Sequence, residues 1–144
     1  MTTALWTVIA FAAWTLFVLM VGVGVHRWRL ILSRQAGLAD FPGDTPHGST
    51  AYRRATRAHA NCVENLPVYA GIVLSAETAH LIPDHMGALA LTVIVCRVVQ
   101  SSIHMLLPET DLTVGVRFSF FCAQIAAMMW MIAAIASLAI ARTG

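Results

Sequence analysis

The sequence predicts an all-α integral membrane protein, a four-helix bundle with up-down topology. Three observations carry that expectation. Of the 144 residues, 58% are hydrophobic and 11% charged, far from the roughly 25% charge usual in soluble domains, and mean hydropathy is +0.74. Four apolar stretches have membrane-crossing length, about Ala4 to Val25, Leu66 to Ile82, Met86 to Leu107 and Phe118 to Ala141. These runs far exceed the roughly 9 to 11 residues of a spanning strand and lack apolar-polar alternation, so helices are expected rather than a barrel.

The first helix, over about 4–34, is expected to be a retained anchor. Met1 to Leu5 carry no basic side chain and the first arginines follow the apolar run, the reverse of a signal peptide. From Gln35 to Thr50 lies a loop in which Gly37, Asp40, Pro42, Gly43, Asp44, Pro46 and Gly48 supply turn chemistry. Ser49 or Thr50 is then placed to cap a second helix over about 50–81, in which Pro67 is expected to kink or loosen one turn. Pro83-Asp84 is read as its end, a third helix follows over about 84–107, and Pro108-Glu109-Thr110-Asp111 separates it from a fourth over about 111–141. No internal repeat or low-complexity tract is visible, so residues 1–144 read as one domain.

All nine basic residues are arginine, and Arg27, Arg29, Arg34, Arg53, Arg54 and Arg57 cluster in or beside the first loop, with Arg117 beside the third. By the positive-inside rule both loops face the cytoplasm, with Arg142 weakly opposed. The absence of a targeting or retrieval signal suggests a bacterial inner membrane, although an endoplasmic-reticulum membrane would demand the same pattern. Membrane lipids are thus expected partners, and nucleic acid is not. Cys62, Cys96 and Cys122 are odd in number and lack CxxC spacing, so they read as packing residues rather than a disulfide framework or metal site.

Ionisable groups inside membrane segments cost about 2.5 to 3.5 kcal/mol each at a helix centre, so each needs a partner or a function. At 100° per residue, Arg53, Arg57, Asn61 and Glu64 fall within roughly 80° on the second helix. Arg97, Gln100, Ser101 and His104 share a face of the third in the same way, and Arg117 sits above Phe121, Gln124 and Met128 on the fourth. Three polar faces predict a cleft open to the cytoplasm, lined by guanidinium groups and one carboxylate and suited to a small polyanion. The structural alternatives stay open. Glu64 and Arg97 suit a buried ion pair equally well. Arg27, Arg29, Arg34, Arg53 and Arg54 suit interfacial anchors. His59 and His104 suit packing, Glu77 and His80 the interface, and Tyr69 and the tryptophans belt or packing positions.

The run Arg57-Ala58-His59-Ala60-Asn61-Cys62-Val63-Glu64-Asn65-Leu66-Pro67 resembles the recurrent Arg-Ala-His-x-Asn-x-x-Glu-x-x-Pro motif of the membrane-associated proteins in eicosanoid and glutathione metabolism, the MAPEG family. Length, helix count, a basic first loop, Arg97 midway along the third helix and Arg117 opening the fourth extend the resemblance over nearly the whole chain. It implies a homotrimer binding glutathione between subunits near the cytoplasmic face. It implies glutathione contacts at Arg27, Arg57, Asn61 and Glu64, with Arg97 and His104 lining the site and His104 replacing a common tyrosine. It further implies a catalytic role for Arg117, whose guanidinium would favour the glutathione thiolate electrostatically. Ala60, Gln100 and Phe118 depart from catalytic relatives and put prostaglandin isomerase activity in doubt.

The resulting expectation is a glutathione-dependent transferase or peroxidase acting on a hydrophobic electrophile or lipid hydroperoxide from the bilayer. The alternative within the same family is a non-catalytic lipid-binding or partner-presenting trimer. A small transporter ranks last, because no inverted repeat or paired broken helices are present.

Overall fold

A computed structural model describes residues 1–42 and 47–143, so Gly43, Asp44 and Pro46 of the first loop lie outside the described residues. Four helices run through these residues: α1 over Thr3–Leu32, α2 over Thr50–Ala79, α3 over Met86–Leu106 and α4 over Asp111–Thr143. Contacts between their ends show the up-down arrangement. Thr2 Oγ1 donates to Glu77, joining the start of α1 to the end of α2, and Arg142 Nη1 donates to the Ala79 carbonyl at 3.3 Å. At the opposite end, Arg27 meets Tyr52 and Arg57 meets Glu109.

Helices α1, α3 and α4 are each long and apolar enough to cross a membrane, whereas α2 is not, which corrects the expectation of four such segments. The reason is compositional. The apolar part of α2 begins only after Glu64 and Asn65 and already contains Glu77, so no long window is free of charge. Its small residues compensate by packing: Ala55, Ala58, Cys62 and Ala76 are buried, letting neighbouring backbones approach closely. Trp6, Trp28, Trp130, Leu16 and Ile140 instead point outward, as lipid-facing side chains do.

Two local features differ from expectation. Helix α2 is unbroken across Pro67, while α1 carries a π-helical stretch over Val18–Gly24. That stretch lies where α1 packs closely on α2, since a Cβ on Gly22 would sit 2.9 Å from Ala55 Cβ. A widened turn re-aims the side chains that follow, Arg27 among them. The end of α2 also comes before Pro83: His80 adopts a left-handed conformation (φ 54°), and Leu81 N donates back to the Ala76 carbonyl at 2.9 Å. The expected cap is made by Ser49, whose hydroxyl accepts from Tyr52 N at 3.2 Å.

Buried polar side chains pin the helices together. Tyr69, fully buried, hydrogen-bonds Thr7 across α1 and α2, and Trp14 Nε1 donates to Ser101 Oγ at 2.7 Å across α1 and α3. Gln124, also fully buried, donates to Asn65 Oδ1 at 3.4 Å across α4 and α2. Cys62 and Cys96 are buried free thiols as expected, but Cys122 is exposed on α4 and is not a packing residue.

Candidate functional site

Helix α3 packs against all three other helices, while α2 and α4 touch each other only slightly. The space between α2 and α4 is therefore a groove floored by α3. On α2 the buried face carries Tyr52, Ala55, Ala58 and Cys62, which turns Arg53, Arg57 and Glu64 outward and leaves Asn61 half-buried. Helix α4 begins after the short Pro108 to Thr110 turn, where Thr113 Oγ1 donates to the Pro108 carbonyl at 2.8 Å. That start places Arg117 in the second turn of the helix and beside α3.

Two adjoining depressions result. In the first, of about 270 Å³, Asn61 of α2 meets Gln100 and His104 of α3 and Arg117, Phe118 and Phe121 of α4. Arg117 Nη1 contacts His104 Nδ1 directly. Gln100 Oε1 and His104 Nε2 are buried without a hydrogen-bond partner. Such groups carry a desolvation cost of about 1 to 3 kcal/mol each, which a bound polar ligand would relieve. The second depression, of about 280 Å³ and nearer the loops, is lined by Thr50, Arg53, Arg54, Arg57 and Glu109. Arg57 Nη1 lies 3.4 Å from Glu109 Oε1, the one ion pair within 4 Å among the described residues.

The expected cleft is thus assembled from some of its expected members. Asn61, His104 and Arg117 meet in one depression, and Arg57 lies in its neighbour. Arg97 departs from expectation: it is 1% exposed inside the bundle, its guanidinium carbon 5.5 Å from the Phe11 ring centroid, and it lines neither depression. Its Nε and Nη2 have no hydrogen-bond partner, and Glu64 is exposed on α2 rather than paired with it, so the alternative of a Glu64–Arg97 ion pair is not realised. Arg27 is held at another side of the bundle, its Nε donating to Tyr52 Oη at 2.6 Å and its guanidinium 5.2 Å from the Phe41 ring centroid. Sequence reasoning missed Glu109, read only as a turn residue. The signal available was its position beside Pro108, in the turn just beyond the helix that carries His104.

Among the described residues, no three His, Cys, Asp or Glu side chains gather as a metal site requires. What the site offers is hydrogen-bond donors and positive charge beside Phe118 and Phe121 of α4, a surface for an anionic, partly apolar ligand. A comparison with family models decides the broader question: the model of the MAPEG family matches residues 3–137. The chain belongs to the MAPEG family. No curated protein and no solved structure matches it. As a MAPEG member with three membrane-capable helices it is an integral membrane protein, and membership points to a glutathione-related role in the membrane. The MAPEG match also spans every residue of both depressions.

Proposed function

We propose that this protein is a glutathione-dependent membrane transferase or peroxidase that acts on hydrophobic electrophiles or lipid hydroperoxides. The observation that carries the reading is the depression in which Arg117, His104, Gln100 and Asn61 converge with unsatisfied polar atoms beside Phe118 and Phe121. The donor set fits glutathione. Guanidinium and amide groups suit its two carboxylates and peptide carbonyls, while the carboxylate of Glu64 suits its ammonium.

Bound glutathione supplies the nucleophilic sulfur. Arg57 and Asn61 hold the peptide, and Arg117, already beside His104, favours the deprotonated thiol by placing positive charge where negative charge develops. Phe118, 64% exposed, and Phe121 offer an apolar approach for an electrophile arriving laterally from lipid. Arg27 and Glu64 join the site through neighbouring subunits, whereas Arg97 stays inside the bundle. A homotrimer is supported by the outward face of α2, where Glu64 is exposed in the single chain although a charged group at membrane depth requires a partner. We place residues 1–144 as one domain in the bacterial inner membrane with loops 1 and 3 cytoplasmic, supported by the arginines gathered at that end.

The test is glutathione binding to detergent-purified protein by calorimetry, with a conjugation assay over several electrophiles. Saturable binding lost in Arg57→Ala, together with an Arg117→Ala variant that binds without ionising the thiol, is the expected outcome. No binding and no turnover by the wild type would overturn it. A second reading, a non-catalytic lipid-presenting trimer, is favoured by Phe118 facing outward beside Arg117, and it predicts retained lipid with no glutathione-induced thermal shift.

A further inference from the structure

The depression formed by Thr50, Arg53, Arg54, Arg57 and Glu109 holds three guanidinium groups and one carboxylate. Two of those guanidinium groups, on Arg53 and Arg54, take no part in the proposed glutathione site. Anchoring at the interface explains a basic side chain that reaches freely into water, as exposed Arg53 does, but not the half-buried Arg54. The three arginines line a common concavity, where mutual repulsion is only partly relieved by Glu109, itself paired to Arg57 at 3.4 Å. Arg54 Nε is buried without a hydrogen-bond partner.

The backbone adds to the same field. Thr50 is the first residue of the 30-residue helix α2. Ser49 satisfies Tyr52 N through its side chain and Arg53 N through its carbonyl. The amides of Thr50 and Ala51, with the Thr50 hydroxyl, remain at the positive end of the helix dipole, where anions bind. A cavity of about 280 Å³ is large enough for a phosphate and its nearest substituents. Its position, at the loop end of a bundle whose sides are apolar, is the depth of lipid headgroups.

We infer that this depression is an anion site for phosphate, in the form of the headgroup of an acidic phospholipid, with Arg53, Arg54 and the start of α2 as its principal donors. Arginine suits this ligand because its planar fork donates two parallel hydrogen bonds to phosphate oxygens. Glu109 pairs with Arg57 and leaves the Arg53–Arg54 side open. The inference does not depend on glutathione chemistry, because neither Arg53 nor Arg54 is assigned to it.

The experiment is native mass spectrometry of the full-length protein released from mixed vesicles of phosphatidylglycerol and phosphatidylcholine, comparing wild type with the double variant R53Q/R54Q. Wild type is expected to retain phosphatidylglycerol preferentially. The double variant should lose that preference by about twenty- to thirty-fold, at roughly fivefold per basic residue near an anionic surface, while glutathione binding stays unchanged. A parallel thermal-shift titration with inorganic phosphate separates the sources. A phosphate shift abolished by R53Q/R54Q without lipid preference keeps the site and assigns it to soluble phosphate. Equal retention of both lipids with no phosphate shift overturns the inference. If the double variant misfolds, R53K/R54K keeps the charge and loses the bidentate geometry, and its undiminished preference would equally overturn it.

Discussion

If glutathione occupies Arg57, one of its carboxylates must take the place of Glu109, the protein's own carboxylate and present partner of that guanidinium. Glu109→Gln therefore tightens glutathione binding. The size follows from the geometry: the pair is 3.4 Å apart, with side chains 57% and 45% exposed, which places it among solvated ion pairs worth about 0.2 to 1 kcal/mol. Relieving that competition lowers Kd by roughly 1.4- to 5-fold, at about 1.4 kcal/mol per tenfold. Because the pair is exposed, the gain should shrink as ionic strength rises from about 0.01 M to 0.15 M and the screening length falls from roughly 30 Å to 8 Å. Isothermal calorimetry at the two salt concentrations reads both quantities. A Glu109→Gln variant that binds glutathione as wild type does, or more weakly, refutes the reasoning; weaker binding would make Glu109 the acceptor of the peptide's ammonium instead.

Three further outcomes follow from the same contacts. Arg117→Ala should lower kcat by about a hundredfold, the cost typical of removing one preorganised donor to a developing anion. Its glutathione Kd should change little, and stopped-flow thiolate absorbance measures the two separately. Tyr69→Phe removes the buried bond to Thr7 and should destabilise the bundle by about 0.6 and at most about 1.7 kcal/mol, read as a lowered Tm with catalysis intact. Gly22→Val places a branched side chain where a Cβ already lies 2.9 Å from Ala55 Cβ, so thermal denaturation should show a loss of about 1 to 3 kcal/mol from overpacking.

Most of the fold was legible because a bilayer demands long apolar segments, and α1, α3 and α4 announce themselves by composition alone. Helix α2 was legible as a helix from its apolar stretch after Leu66 and its Ser49 cap, but its polar stripe and Glu77 leave that stretch too short to match the other three. The π-helical stretch of α1 had only Gly22 and Gly24 as a signal, and glycine in a membrane helix marks close approach without saying which irregularity provides it. The hydrogen bonds Thr7–Tyr69, Trp14–Ser101 and Asn65–Gln124 each join residues on different helices, so no local pattern could pair them.

The site divides along the same physical line. Helical periodicity determines angles between residues of one helix, and it correctly grouped Arg97 with Ser101 and His104 on α3. It leaves open how each helix is rotated about its own axis within the bundle. With α3 in contact with every other helix, its one polar face spreads over several neighbours along its length. His104, near the loop end, meets Arg117 of α4, whereas Arg97, two turns deeper, meets Phe11 of α1. The face of α2 that carries Glu64 is turned outward instead, so a pairing that looked natural on helical wheels is not made within one chain. A guanidinium buried without a carboxylate is costly in any membrane protein, and Arg97 bears that cost with only an aromatic face and neighbouring polar atoms around it. Moving Arg97 toward the groove would require α3 to rotate and break Trp14–Ser101, the hydrogen bond one turn away that holds the helix in its present register.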